Sequence, residues 1–208
     1  GTLTTLHSFD ITDGSNPNAG LVQDTNGVLY GTTYDGGANG DGTVFSVSVS
    51  LNPFVVLRAT SGKEGAKIGI LGQGFGSSSV VEFGGVAVTT ITLTGSTYIS
   101  ATVPAGALTG AVTVTTGATT LTSSRTFKVL PTLISIPASA SVGTPVAITG
   151  TGLTQTTKVT FGGVKATSFT VNNDTQVTAD VPTGAKTGKI AVTTEGGSAT
   201  SKTNFTVD

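Results

Sequence analysis

The chain of 208 residues has no cysteine, no methionine and no tryptophan, and its only histidine is His7. Without cysteine there can be no disulfide, no thiolate metal site and no cysteine nucleophile. That fits a cytosolic protein, or an exported bacterial one held together by packing alone. With one histidine, any His-based triad must use His7, and the adjacent Ser8 would point to the opposite face of a strand carrying both. Charge is scarce as well: 10% of residues are charged, for a net charge of −1. No Lys/Arg cluster is dense enough for a nucleic-acid stripe. There is no run of 18 apolar residues, so no membrane-spanning helix is expected. There is no signal-peptide pattern. The chain begins at Gly1 rather than Met, as expected of a processed or excised piece of something longer. The helix formers Glu, Lys, Gln and Met are scarce or absent.

Val, Thr, Ile and glycine take their place, with 30 glycines in all. This composition favours strands and predicts an all-β protein. The low-charge surface rich in Thr, Ser and Gly points to a secreted or cell-surface location.

Residues 53–130 and 131–208 are one module written twice, aligned without a gap at an offset of 78 positions. Pro53 falls on Pro131, Gly72 and Gly74 on Gly150 and Gly152, and Phe83-Gly84-Gly85-Val86 on Phe161-Gly162-Gly163-Val164. Val103-Pro104 falls on Val181-Pro182, and Phe127 and Val129 on Phe205 and Val207. About a third of the aligned pairs are identical, so the chain reads as two domains after a first segment, residues 1–52. The matched residues are mostly glycine, proline and apolar. What repeats is a fold, and no reactive constellation repeats with it. Charge is uneven: the first segment has five aspartates and no basic residue, a net −5. The first module has five basic side chains against Glu64 and Glu82, a net +3, and the second has five against four, a net +1.

The first segment is expected to hold four short strands, at 3–9, 20–23, 28–33 and 43–49, making one small antiparallel blade-like sheet. Asn26-Gly27 between two apolar runs predicts a tight hairpin, with both turn positions at positive φ. The segment resembles a repeat found in tandem in large secreted bacterial proteins and thought to form β-propeller-like arrays. The matching residues are Leu6-His7-Ser8-Phe9, Asp13-Gly14-Ser15-Asn16-Pro17, Asn26-Gly27-Val28-Leu29-Tyr30-Gly31-Thr32-Thr33 and Gly42-Thr43-Val44-Phe45. A single blade cannot cover both its faces, so the resemblance implies an orphan needing a partner surface, either the first module or a copy of itself in a homo-oligomer.

Each module alternates apolar and polar residues at period two, with turn signals at intervals of about 8–12 residues, as in an immunoglobulin-like sandwich. In the second module, Ile148-Thr149-Gly150-Thr151-Gly152-Leu153 and Val159-Thr160-Phe161-Gly162-Gly163 carry the pattern. Ile70-Leu71-Gly72-Gln73-Gly74-Phe75 and Val81-Glu82-Phe83-Gly84-Gly85 repeat it in the first. These motifs resemble the IPT/TIG family, immunoglobulin-like domains shared by transcription factors, plexin-type receptors, starch-converting enzymes and bacterial surface proteins. The resemblance covers nearly all of 53–208 and implies a fold rather than a function. Phe83, Phe127, Phe161 and Phe205 are expected in the cores. The junction at Leu130-Pro131 has no flexible spacer, so the modules should sit end to end in a fixed rod.

Few residues qualify as a site. No catalytic residue is assigned: His7 reads as structural, and Glu64 and Glu82 have Val142 and Thr160 as counterparts, so no carboxylate pair emerges. No cofactor is expected beyond Ca²⁺, for which Asp35, Asn39 and Asp41 in a glycine-rich loop are the candidate ligands. The same residue types serve tight turns, and both readings stand. A Lys–Asn isopeptide crosslink does not fit, since the first module has neither Asn nor Asp. For carbohydrate, the candidate contacts are Tyr98, Tyr30 and Tyr34. Tyr98 has Gln176 as its counterpart, so the fold does not require an aromatic there.

The leading expectation is a non-catalytic extracellular spacer or adhesive module of a larger bacterial surface or secreted protein. The alternative is an accessory carbohydrate-binding region of a polysaccharide-degrading enzyme, which a row of exposed rings would favour. The partners implied are neighbouring domains of the parent protein and a polysaccharide or another protein. Nucleic acid and a membrane span are not expected.

Overall fold

The computed structural model describes residues 3–208 and is built from β-strands, turns and bends. The chain divides into two compact units, Gly1–Phe54 and Val55–Asp208.

The first unit carries a three-stranded antiparallel sheet with strands Val22–Gln23, Leu29–Thr32 and Val44–Val47 in that order. The fourth expected strand, residues 3–9, does not form. Side chains hold this stretch instead of ladder bonds. His7 packs edge-on against Phe9 and Phe9 against Phe45, each pair with centroids 4.9 Å apart. Just beyond, the Asp10 carboxylate accepts from the Thr12 amide at 3.0 Å and the Thr12 hydroxyl at 2.6 Å. Such local side-chain bonds compete with strand pairing. The first hairpin forms, though differently from the expectation. Its turn spans Asp24 to Gly27, only Gly27 has positive φ (+87°), and Asn26 acts through Oδ1, which accepts from the Val28 amide at 2.8 Å.

The second unit holds two sandwiches of the same topology. In the first, one sheet runs Val56–Leu57, Lys67–Leu71, Tyr98–Thr102, Ile91–Thr94, and the facing sheet runs Thr119–Thr122, Val112–Thr116, Val80–Phe83, Val86–Ala87. In the second, the corresponding orders are Thr132–Ser135, Pro145–Thr151, Gln176–Asp180, Phe169–Asn173 and Ser198–Thr200, Ile190–Thr194, Thr156–Phe161, Val164–Lys165. A short parallel ribbon closes each: Lys128–Val129 on Ser61–Gly62, and Thr206–Val207 on Ser139–Ala140. Every element has its counterpart close to the 78-residue offset read from the sequence.

Period-two alternation sorts the side chains into core and surface. Ile68, Ile70, Ile99, Ala101, Val112 and Val114 point into the first core, and Val146, Ile148, Val177, Ala179, Ile190 and Val192 into the second. Phe83, Phe127, Phe161 and Phe205 are all 0% exposed. They meet edge-to-face in pairs, Phe83 with Phe127 at 4.9 Å and Phe161 with Phe205 at 5.3 Å. The sandwiches are separate cores, and the alternation that fills them leaves the intervening residues on open sheet faces.

Candidate functional site

One of those faces differs from its counterpart in the repeat. Tyr98–Thr102 alternates between half-buried and buried, so Ile99 and Ala101 enter the core while Tyr98, Ser100 and Thr102 face outward. Register places Tyr98 between Leu71 and Thr94, and Ser100 between Gly69 and Thr92. Tyr98 and Gly69 are therefore diagonal neighbours, within reach of an aromatic side chain. The ring takes that route. A Cβ on Gly69 would lie 2.7 Å from Tyr98 Oη, 3.0 Å from its Cε2 and 2.9 Å from Arg58 Cδ. Gly69 thus leaves the hollow that the phenol end of Tyr98 covers. The Arg58 amide donates to the Gly69 carbonyl at 2.9 Å, which anchors the arginine beside the ring. Arg58 and Lys67 are both exposed. The acids of this module are elsewhere: Glu82 is on the facing sheet, and Glu64 accepts from the Gly106 amide at 2.7 Å.

A second feature joins the sandwiches. The Thr109 amide donates to Gln155 Oε1 at 2.6 Å, and Gln155 Nε2 donates to the Thr109 carbonyl at 3.3 Å and to Glu195 at 3.0 Å. Thr109 Oγ1 in turn accepts from the Val129 amide at 3.0 Å. Gly196 is buried here, and a Cβ on it would fall 1.9 Å from the Val129 carbonyl oxygen. Glu64 of the first module also lies close enough to Asp174 of the second for the two carboxyls to influence each other. Burial, and then this neighbouring carboxyl, push Glu64 up to about 7.

The remaining sequence candidates are all in the first unit. Tyr30 and Tyr34 are in the first unit, 39% and 76% exposed, and Tyr98 is in the second, so no row of three rings forms within one unit. Asp35 Oδ2 accepts from Asn16 Nδ2 at 2.8 Å, while Asn39 and Asp41 are exposed in the turn that follows. Among the described residues no three His, Cys, Asp or Glu side chains gather as metal ligands. His7 Nε2 is 2.5 Å from Asp13 Oδ2, a pair the sequence did not single out.

Comparison with known families adds one assignment. Residues 131–207 match the IPT/TIG domain. The IPT/TIG match thus covers the second sandwich. No match was found among curated proteins. Solved structures similar to the chain include a Bacteroides ovatus surface glycan-binding protein from a mixed-linkage glucan utilization locus, in complex with a mixed-linkage heptasaccharide. It is 18% identical, with 87% of this chain and 52% of that one covered and a TM-score of 0.35. A surface glycan-binding protein from Prevotella bryantii is 18% identical over 76% of this chain and 39% of its own, with a TM-score of 0.47. A structure with xylogluco-oligosaccharide is 19% identical over 86% and 45%, with a TM-score of 0.38. The chain spans about half or less of each of these structures. None of them assigns a residue here.

Sequence reading singled out Tyr98 and missed its companions. The repeat held a further signal. Arg58, Gly69 and Tyr98 fall on Ile136, Ala147 and Gln176, so all three depart from the second copy. Only strand register shows that the three departures are one place.

Proposed function

We propose that the chain is a non-catalytic segment of a bacterial surface or secreted glycan-binding protein, in which residues 55–208 act as a rigid support. The observation that carries this reading is the joint between the sandwiches. A backbone amide and carbonyl of one module are both taken up by a single side chain of the other, and a glycine is seated against a facing carbonyl oxygen. A linker evolved for free swivelling has no use for such contacts; domain pairs move by default unless their interface resists it. Rigid spacing suits a protein that must hold a binding surface away from the cell. The IPT/TIG fold of 131–207 fits a supporting role, since its motifs serve turns and core. The glycan part of the reading rests on the open face around Tyr98, and it is in keeping with the surface glycan-binding proteins among the similar structures.

Residual dipolar couplings on the full chain test the support role. Residues 55–130 and 131–208 should fit one alignment tensor, and Gln155→Ala should loosen them. Independent tensors for the two modules in the unaltered protein would overturn it.

A further inference from the structure

We infer that the outer face of the first sandwich, around Tyr98, Arg58 and Lys67, is a binding site for an acidic polysaccharide, one strand of uronate-bearing sugar lying across the sheet. The inference rests on the carbohydrate-binding reading and adds a place and a ligand class to it.

Four observations meet at this face. The first is shape. Tyr98 runs diagonally over Gly69 and is only half-buried, so part of the ring is shielded by the sheet and part is open to solvent. An aromatic surface of this kind suits the C–H face of a pyranose.

Charge is the second. Arg58 borders the ring, and Lys67 is two residues along the strand from Gly69, about 7 Å away. No ion pair occupies either among the described residues. The module's only two acids, Glu64 and Glu82, are accounted for elsewhere. A planar guanidinium beside an aromatic is suited to grip a carboxylate with two parallel hydrogen bonds, while the lysine supplies a second positive point along the strand.

The third is the polar floor. Ser100, Thr92, Thr94 and Thr102 line the neighbouring rows, short hydroxyls that can bond sugar without standing above the ring.

The fourth is the built-in comparison. The same face of the second sandwich carries Ile136, Ala147, Gln176 and Pro145 in place of Arg58, Gly69, Tyr98 and Lys67. The fold closes without the aromatic, the glycine or either cation, so the topology by itself does not require them.

The test uses the full chain and isothermal titration calorimetry with two probes of one backbone, oligogalacturonate and its fully methyl-esterified, uncharged form. Oligogalacturonate should bind, and the ester should bind at least about tenfold more weakly. Affinity for the acid should fall between low and physiological salt. Tyr98→Gln installs the residue of the second copy, so it should fold, and it should weaken binding about tenfold or more. Arg58→Gln, at an exposed position, should do the same and remove most of the preference for the acid. If both variants bind as the unaltered chain does, the site is wrong and the carbohydrate reading survives. If acid and ester bind equally, the acidic class is overturned. If neither probe nor any neutral glucan binds, the carbohydrate reading itself falls.

Discussion

At the residue scale, two groups bear opposite kinds of weight. Phe161 is fully buried and meets Phe205 edge-on, with no solvent to fill a void left behind. Phe161→Ala should therefore cost about 3–5 kcal/mol, the range for emptying a packed aromatic site. Chemical denaturation monitored in the second sandwich checks this, and an unchanged midpoint would remove Phe161 from the core's account. Glu64 concerns protons instead. Its folded value of about 7 is above the ordinary 4.5, so the folded state holds a proton that the unfolded chain has already released. Stability from this group is fully present below about 4.5 and is lost as pH rises through about 7. Unfolding midpoints across that window should fall for the unaltered protein and flatten for Glu64→Gln. The effect should be modest, because the carboxyl keeps some solvent contact.

At the scale of elements, the sheets of the repeat were legible and the first unit was legible only in part. Strands such as Pro145–Thr151 and Gln176–Asp180 alternate strictly, and one face of each is buried, so pattern and structure agree. Residues 3–9 carry Leu3, Leu6 and Phe9 at a spacing of three rather than two, and Leu3 and Leu6 are 95% and 65% exposed. A run of this composition forms a strand only where a partner offers ladder bonds, and the Asp10 turn that follows diverts the chain. Asn26-Gly27 carried the right message, a hairpin, for a different reason. The asparagine stabilises the turn through its side chain, so the preference for Asn survived while the two-residue geometry did not.

At the scale of the whole molecule, core is distributed unequally. Among the described residues, the buried apolar side chains are all within Val55–Asp208, and the first unit contributes none. Local stability follows buried contact, so the unit Gly1–Phe54 should open first. Limited proteolysis under native conditions should cut within it while 55–208 stays intact. Equal protection of both units by amide exchange would refute that ordering.

The all-β class, the repeated pattern of residues 53–130 and 131–208, the four core phenylalanines and the sign of charge along the chain are all readable in the order of residues. These follow from short-range patterns, since alternation and turn chemistry act over a few residues and a repeat displays its own register. The tertiary structure alone decided which departures from the repeat belong together. Gly69 and Tyr98 meet through the register of two neighbouring strands, and Arg58 joins them from the residue after the next strand through its amide bond to the Gly69 carbonyl. Glu64 and Asp174 meet because two modules stack at a short junction, and Gln155 reaches Thr109 for the same reason. No local pattern encodes such meetings, because they depend on strand order and on where the ends of two sandwiches touch.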